Sequence, residues 1–250
     1  MNKSTQLEER FGSLPKISMT LEEELLLTVP DNLAGLTKDK FLMVRLTKDN
    51  SDIVEKCIAS DPAYQSKGKT IMEQFFNADD YSENAYSDII NRIAIENSTR
   101  TSKEAIMCLA AYCANPDNKF LELLREGELT LVDKLLEHLV KSGHRKDKSL
   151  VSKVCRYLNE WLYGGCAYTI NDTVVRTILP YYLAYYKIDP QKWQGKNFAK
   201  LSYVDFYEIF SLVRCKTNLN NHQLDHLIWY EYKNDGIRRE VAKALAAKLI

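Results

Sequence analysis

Residues 149–163 run SLVSKVCRYLNEWLY, and they open the part of the chain that decides its fold. Apolar side chains recur there at helical spacing, which predicts an amphipathic helix. Gly164 and Gly165 follow at once, and glycine commonly ends a helix. The pattern therefore predicts a helix that ends at the glycine pair and carries Lys153 in its first turn or so.

Residues 166–172 run CAYTIND, and residues 173–183 run TVVRTILPYYL. The second stretch is an apolar helix, with Asp172 as its N-cap and Pro180 as either a kink or a restart. The expected order is thus helix, loop and helix.

A basic turn, KSGHRKDK over residues 141–148, precedes this segment. Residues 130–140 before the turn carry one apolar stripe at helical spacing. The stripe consists of Leu131, Leu135, Leu136 and Leu139. Residues 130–163 therefore predict two helices joined by a cationic hairpin.

The remainder of the chain is also expected to be helical. Helices are predicted over residues 49–60, 81–96, 102–114, 117–125, 202–215, 221–233 and 235–249. Residues 40–47 form the best strand candidate, and residues 1–35 are expected to form an arm with a short docking helix around its three leucines. The sequence predicts an all-α protein of about ten helices with no clear sheet.

Composition sets bounds on function. The chain has 250 residues, of which 45% are hydrophobic and 27% charged, so it can bury a core in one large domain or two small ones. Its formal net charge is zero, which argues against coating nucleic acid through bulk charge. A local basic patch can still bind phosphates, because those contacts act at short range.

The six cysteines show no Cys-x-x-Cys pair and no zinc spacing. They predict reduced thiols and an intracellular, cytoplasmic protein, nucleoid-associated if bacterial. The first residues lack the apolar core of a signal peptide, and no apolar run is long enough to span a bilayer. We expect neither a membrane partner nor a metal site.

The order of basic turn, Ser-Lys, apolar helix, glycine pair and residues 170–176 (INDTVVR) resembles the active-site segment of the helix-hairpin-helix DNA glycosylases. The family's last segment runs proline-valine-aspartate-threonine-histidine-valine-arginine. Here Ile170 and Asn171 replace the proline and valine, and Val174 replaces the histidine. The resemblance spans residues 130–235.

The resemblance implies a lysine nucleophile and an aspartate partner. A lysine amine can displace a base from the sugar and form a Schiff base, but only when it is neutral. Burial and the positive end of a helix dipole both disfavour the ammonium form, which suits the position of Lys153. Asp172 would stabilise the cationic sugar and handle a proton. The alternatives are a solvated lysine and an aspartate that serves only as an N-cap.

The resemblance also implies a grip on the DNA backbone. The family's hairpin usually holds a phosphate through the amides of a Gly-hydrophobic-Gly turn, whereas this chain has one glycine there. Side chains are expected to contribute instead, or the turn is a solvated loop. The candidate phosphate contacts are Gly143, His144, Arg145, Lys146 and Lys148. No four-cysteine cluster follows, so an iron–sulfur version is excluded, and no cofactor is implied.

Residues 221–232, NHQLDHLIWYEY, are similar to the last core helix of archaeal-type 8-oxoguanine DNA glycosylases and their small bacterial relatives. There an Asp and a Trp one turn apart touch the flipped base, and Asp225 and Trp229 have that spacing. Alternatively, Trp229 belongs to the core and Asp225 is solvated. Cys155 and Tyr157 lie close to Lys153 along its helix and either line the base pocket or simply pack.

The resemblance therefore predicts a two-lobed, helix-hairpin-helix DNA glycosylase-like fold with a central cleft. An N-terminal arm over residues 1–35 is followed by the glycosylase-like domain over residues 36–250, with the hairpin and catalytic segment at about 130–187. The expected partner is double-stranded DNA carrying a modified base, bound by a monomer.

The expected substrate is 8-oxoguanine or another modified base, such as a modified cytosine in phage DNA. Base excision, with AP lyase activity as an option through the Schiff base, is the expected reaction. Two rival interpretations remain: a catalytically silent DNA-binding module on the same fold, and a helical scaffold without a role on DNA.

Overall fold

The structure is a computed structural model that describes residues 19–21, 42–60, 81–96 and 99–249. Within these residues the chain forms ten α-helices and one pair of short strands. The strands are β1 (Met19–Leu21) and β2 (Leu42–Val44), and they pair antiparallel. The helices are α1 (Lys48–Ser60), α2 (Glu83–Glu96), α3 (Lys103–Ala114), α4 (Phe120–Glu126), α5 (Thr130–Lys141), α6 (Lys148–Tyr163), α7 (Thr173–Tyr185), α8 (Tyr203–Arg214), α9 (Asn221–Tyr232) and α10 (Gly236–Leu249).

The prediction of a mainly helical protein is confirmed, and each predicted helix after residue 48 has a counterpart in the structure. Pro180 lies inside α7, and the helix continues past it to Tyr185. The arm over residues 1–35 and its docking helix lie largely outside the described residues. The specific glycosylase fold, with its lobes and cleft, stays a prediction.

The helix expected over residues 117–125 is confirmed in its larger part, as α4. Its first residues instead belong to a 3₁₀ turn, Pro116–Asn118, and Lys119 lies in the left-handed region between the turn and α4. Ile89, Ile90, Ile93 and Ile95 are predicted to lie on one helical period of α2. Ile95 is wrong in this set: it is 62% exposed, because it lies two residues from buried Ile93 and so on the opposite face of the helix. A capping box is predicted where the helix over residues 102–114 begins. The structure shows only a Ser102 cap there, since the third helical residue is Ala105 rather than Glu or Gln.

The chain divides into two compact units. One contains residues 1–62, 173–201 and 207–250, and the other contains residues 63–172 and 202–206. The first therefore includes β1, β2, α1, α7, the part of α8 after its first turn, α9 and α10, and we call it the terminal unit. The second includes α2 to α6 and the first turn of α8, and we call it the central unit.

The core of the central unit forms around α5 and α6. The four leucines of the predicted stripe on α5 are at most 1% exposed. They pack with α3 and α6, and α6 also contacts α2 and α4. From α6 the core takes four apolar side chains, namely Leu150, Val151, Val154 and Leu158, none more than 1% exposed. The burial of these side chains holds that face of α6 against its neighbours.

In the terminal unit, α7 packs along α10, and α9 packs against α1 and α7. Two buried tyrosines tie β2 to these helices. The Val44 N–H donates to the Tyr232 hydroxyl at 3.0 Å, and the Tyr182 hydroxyl donates to the Val44 carbonyl at 2.6 Å. The two hydroxyls lie 2.8 Å apart. The backbone groups that Val44 turns away from β1 are thereby satisfied. Across the residues that the structure describes, no helix is both long and apolar enough to cross a membrane.

Candidate functional site

The turn between α5 and α6 is built on a glycine in the left-handed region. Gly143 has φ +81°, and its N–H donates to the Val140 carbonyl at 3.0 Å. The His144 N–H reaches back to the Leu139 carbonyl at 2.9 Å. This pair of bonds is a Schellman motif, which satisfies the last carbonyls of α5. The amides of Gly143 and His144 are therefore committed to the helix end.

Asp147 begins α6. Its Oδ1 accepts a hydrogen bond from the Leu150 N–H at 3.0 Å, which makes it the N-cap. Its Oδ2 accepts from the Thr101 hydroxyl at 2.7 Å and lies 3.6 Å from Nη2 of Arg145. The carboxylate is 8% exposed, so these contacts hold it inside the turn. The turn is thus fixed by one acidic residue within a basic run.

The five candidate phosphate contacts differ in exposure. Arg145 has a side chain that is 77% exposed, and Lys146 is exposed as well. His144 is partly buried, and Lys148, the first residue of α6, is only 9% exposed. Arg145 and Lys146 are therefore the members whose charge faces water, and Gly143 contributes the shape of the turn.

Lys153 lies in the interior of the central unit. Lys153 is only 3% exposed, which is uncommon for a lysine. Because α6 begins at Lys148, one residue earlier than expected, Lys153 is the sixth helical residue and lies in the second turn. The dipole field falls off within the first turn, so the expected contribution of the helix N-terminus at Lys153 is small.

The loop after α6 returns to the start of that helix. The Asn171 N–H donates to the Ser152 hydroxyl at 3.0 Å, and the same hydroxyl donates to the Lys148 carbonyl at 2.7 Å. Ser152 is fully buried, and Asn171 is 1% exposed. Asp172, the next residue, is 6% exposed and directly precedes α7. The two candidate catalytic residues thus follow, in sequence, the two partners of one buried hydrogen bond.

The side chain of Asn159 is the second anchor of this loop. The Asn159 side chain donates to the Leu124 carbonyl at 2.8 Å and accepts from the Ala167 N–H at 3.2 Å. A Cβ at Gly165 would collide with that same side chain, so the second glycine of the pair is needed for close approach. Gly164, at φ +62°, supplies the left-handed C-cap of α6.

The third anchor is Tyr203, the first residue of α8. Its hydroxyl accepts from the Thr169 N–H at 2.8 Å and donates to the Thr169 carbonyl at 2.8 Å. Its own N–H is held by the Asp133 carboxylate at 2.8 Å. The backbone from residue 167 to residue 171 is therefore fixed at three points, each buried or partly buried.

Cys155 and Tyr157 differ in character. Cys155 is fully buried, and burial raises the pKa of its thiol well above the ordinary range, so the thiol stays protonated. Tyr157 is partly buried and stacks on Trp161, with ring centroids 5.1 Å apart, and the Arg156 guanidinium lies 4.6 Å from its centroid. Both have packing roles in the structure, and their role in a base pocket stays a prediction.

Asp225 and Trp229 lie on α9 in the terminal unit. Asp225 is fully buried, so the alternative of a solvated carboxylate is wrong. Trp229 is partly buried, and the Lys233 ammonium lies 4.1 Å from its ring centroid, a cation–π contact. Beside them, His226 Nδ1 lies 2.8 Å from Glu55 Oε1 of α1. Contact of Asp225 and Trp229 with a base stays a prediction.

The tyrosines at and just after the end of α7 divide between the core and its rim. Tyr181 and Tyr182 are fully buried or nearly so, whereas Tyr185 and Tyr186 are partly buried. The run is predicted to form core and rim rather than a platform on which bases stack, and the burial of these side chains agrees with core and rim positions.

Sequence reasoning missed the residues that hold the site together. Asp147 lies inside a basic run, and the one feature of the sequence that could have identified it is its position directly before a helix, where an aspartate can serve as the N-cap. Ser152, Asn159 and Tyr203 act through contacts between distant parts of the chain, which no local pattern reveals. Across the described residues, no cluster of His, Cys, Asp and Glu could hold a metal ion.

Comparison of the chain with protein-family models, with curated proteins and with solved structures found no match.

Proposed function

We propose that this protein is a DNA glycosylase that excises a modified base through Lys153. The observation that carries the proposal is the buried Ser152–Asn171 hydrogen bond, which ties the segment of Asp172 to the turn of α6 that bears Lys153. Both residues are shielded from water, at 3% and 6% exposure. A buried lysine and a buried carboxylate are groups that suit base excision through a Schiff base.

In the proposed reaction, the Lys153 amine attacks the sugar carbon that bears the base. The glycosidic bond breaks, its electron pair leaves with the base, and the base takes up a proton. The attacking nitrogen then loses a proton, and its lone pair forms the C=N bond of the protonated Schiff base as the bond from the same carbon to the ring oxygen of the sugar breaks. The electron pair of that bond stays on the ring oxygen, which takes up a proton. Asp172 stabilises the positive charge on the sugar and carries a proton. The protein adds orientation, because the loop with Asp172 is fixed before DNA arrives.

The turn between α5 and α6 supplies the proposed grip on DNA. Arg145 and Lys146 present charge to water on a rigid turn. Phosphate contacts of this kind fix the register of a protein on the duplex without selecting sequence. The zero net charge of the chain is compatible with this grip, since the contacts are local.

The substrate is proposed from the resemblance alone. 8-Oxoguanine is the first choice, and a modified cytosine of phage type is the second. Either base must leave the stack to be reached, which costs a few kcal/mol of unstacking. Excision assays on matched oligonucleotides, each with one modified base, distinguish the two substrates.

Borohydride trapping tests the proposal. The full-length protein is incubated with duplexes that carry 8-oxoguanine, a modified cytosine or an abasic site, and covalent adducts are separated by denaturing electrophoresis. We expect an adduct that disappears in Lys153→Gln and weakens strongly in Asp172→Asn. Lys134→Ala, an exposed lysine of α5, is the matched control and should retain the adduct.

The absence of an adduct and of base release on every duplex would contradict the proposal. Binding to DNA that is salt-dependent and survives Lys153→Gln would then favour the silent binding module. Absence of any salt-dependent binding would favour the scaffold without a role on DNA.

A further inference from the structure

A second cationic segment lies against the turn between α5 and α6. Arg100 and Lys103 flank the N-cap of α3, and both are exposed. Thr101, between them, donates its hydroxyl proton to Asp147 Oδ2 at 2.7 Å. The same oxygen lies 3.6 Å from Nη2 of Arg145. One buried carboxylate therefore holds the α3 entry and the turn side by side within the central unit.

Across the two segments, exposed cations outnumber exposed anions. The exposed cations are Arg100, Lys103, Arg145 and Lys146, which we call the phosphate surface. Asp147 is buried and engaged with the turn, so its charge is turned inward. Glu104 is an exposed carboxylate at the edge of this surface, with His144 and Lys103 nearby. Its pKa is lowered by hydrogen bonds from its own N–H and from Ser102, so it is an anion at neutral pH.

The first two amides of the turn are not available to a phosphate, because those of Gly143 and His144 already donate to carbonyls of α5. Side chains are therefore expected to supply much of a grip on phosphate at this place, and the turn itself exposes two cations, Arg145 and Lys146. The α3 entry doubles that number.

We propose that the phosphate surface binds the backbone of a DNA duplex, with Arg100 and Lys103 contacting phosphates alongside Arg145 and Lys146. The inference rests on the proposed function and extends its DNA interface to a segment outside the resemblance. Charge complementarity favours this occupant, since duplex DNA carries closely spaced negative charges, and each neutralised phosphate releases a counterion. The rigid hydrogen bond between Thr101 and Asp147 keeps the two segments in register.

Fluorescence anisotropy of a labelled duplex without a lesion tests this surface. The full-length protein is titrated over a series of KCl concentrations, and the slope of log K against log salt is compared between variants. We expect Arg100→Ala/Lys103→Ala to weaken binding and to lower the slope by about 1 for each cation removed. The same loss is expected for Arg145→Ala/Lys146→Ala, whereas Lys134→Ala should keep the slope of the natural protein.

A gain of affinity provides a result that misfolding cannot imitate. Glu104→Gln removes the anion at the edge of the surface while leaving an oxygen that can still accept hydrogen bonds. We expect this variant to bind the duplex several-fold more tightly at low salt, with the difference shrinking as salt rises. Unchanged or weaker binding would count against the surface.

The outcomes separate the two proposals. If Arg100→Ala/Lys103→Ala binds like the natural protein while Arg145→Ala/Lys146→Ala is weakened, the surface is limited to the turn and this inference fails, although the glycosylase can stand. If the natural protein shows no salt-dependent binding, the inference falls together with the proposed function. If the surface behaves as expected and borohydride trapping finds no adduct, the inference holds and the glycosylase fails.

Discussion

Ser152 and Asn171 are joined by a buried hydrogen bond, 3.0 Å from the Asn171 nitrogen to the Ser152 hydroxyl oxygen. The two residues lie 19 positions apart, on α6 and at the end of the loop that follows it. Because the Ser152 proton points at the Lys148 carbonyl, its oxygen lone pairs remain for the Asn171 N–H. The hydroxyl is thus the link between the helix of Lys153 and the segment of Asp172.

Ser152→Ala should destabilise the protein by about 1–3 kcal/mol, because the Asn171 N–H loses its partner inside the core. The higher helix propensity of alanine offsets a few tenths of this loss. Urea denaturation followed by circular dichroism measures the change. Ser149→Ala, one turn earlier and less buried, is the control. If both variants unfold at the same urea concentration as the natural protein, the hydrogen bond does not stabilise the loop.

Asp147→Ala should cost about 1–2 kcal/mol, since it removes the N-cap of α6. It also removes the partner of Thr101. Thr101→Val isolates the second effect, and the double variant completes a cycle that gives the coupling energy between the two residues. Thermal unfolding of the four proteins provides the measurement. Strictly additive losses would show that Thr101 and Asp147 do not interact in solution.

The helices could be predicted because apolar side chains repeat at their period. The four leucines of α5 are the clearest case, since all are buried as expected. Ile95 shows the limit of the rule. It belongs to the group of isoleucines on α2, but it does not lie on the buried face of that helix. The start of α6 was off by one residue, which moved Lys153 out of the first turn and reduced the expected effect of the dipole.

The features that could not be predicted are contacts between residues that lie far apart in the sequence. The strand β1 has three residues, too few to show an alternating pattern, and its pairing with β2 depends on a segment more than twenty residues away. The hydrogen bonds from Asn159 to Leu124 and from Thr169 to Tyr203 join residues 35 and 34 positions apart. Such contacts depend on tertiary packing, so the sequence suggested Lys153 and Asp172 but not the residues that support them.

Gly143→Ala should destabilise the protein by about 1–2 kcal/mol, because φ +81° is unfavourable for a residue with a Cβ. A Cβ at this position meets no atom within 4 Å, so the cost is conformational rather than steric crowding. Gly143→Asn should lose less, since asparagine tolerates the left-handed region better. Chemical denaturation of the three proteins tests the order. A larger loss for asparagine than for alanine would contradict the conformational explanation.

Tyr232→Phe should destabilise the terminal unit by about 1–3 kcal/mol, because it leaves the buried Val44 N–H without its acceptor. Tyr182→Phe removes a donor to the Val44 carbonyl and should cost a similar amount. Tyr186→Phe is the matched control, as this side chain is only partly buried. Hydrogen exchange of the Val44 amide, measured by NMR, should accelerate in Tyr232→Phe. Unchanged exchange there would mean that the Tyr232 hydroxyl does not protect β2.

The buried tyrosines also predict a loss of stability at alkaline pH. Burial raises the pKa of Tyr182 well above its usual value, neighbouring Tyr232 raises it further, and burial raises the pKa of Tyr186 to about 12. In the unfolded chain these phenols ionise near pH 10, so above that pH the unfolded state holds fewer protons than the folded state. The free energy of unfolding should therefore be insensitive to these groups below about pH 10 and should fall as the pH rises beyond it.

Urea titrations between neutral pH and pH 11, with tyrosinate absorbance recorded in parallel, measure the free energy of unfolding and the ionisation of the tyrosines. A full tyrosinate signal in the folded protein at pH 11 would show that the phenols are accessible to water and would overturn this explanation.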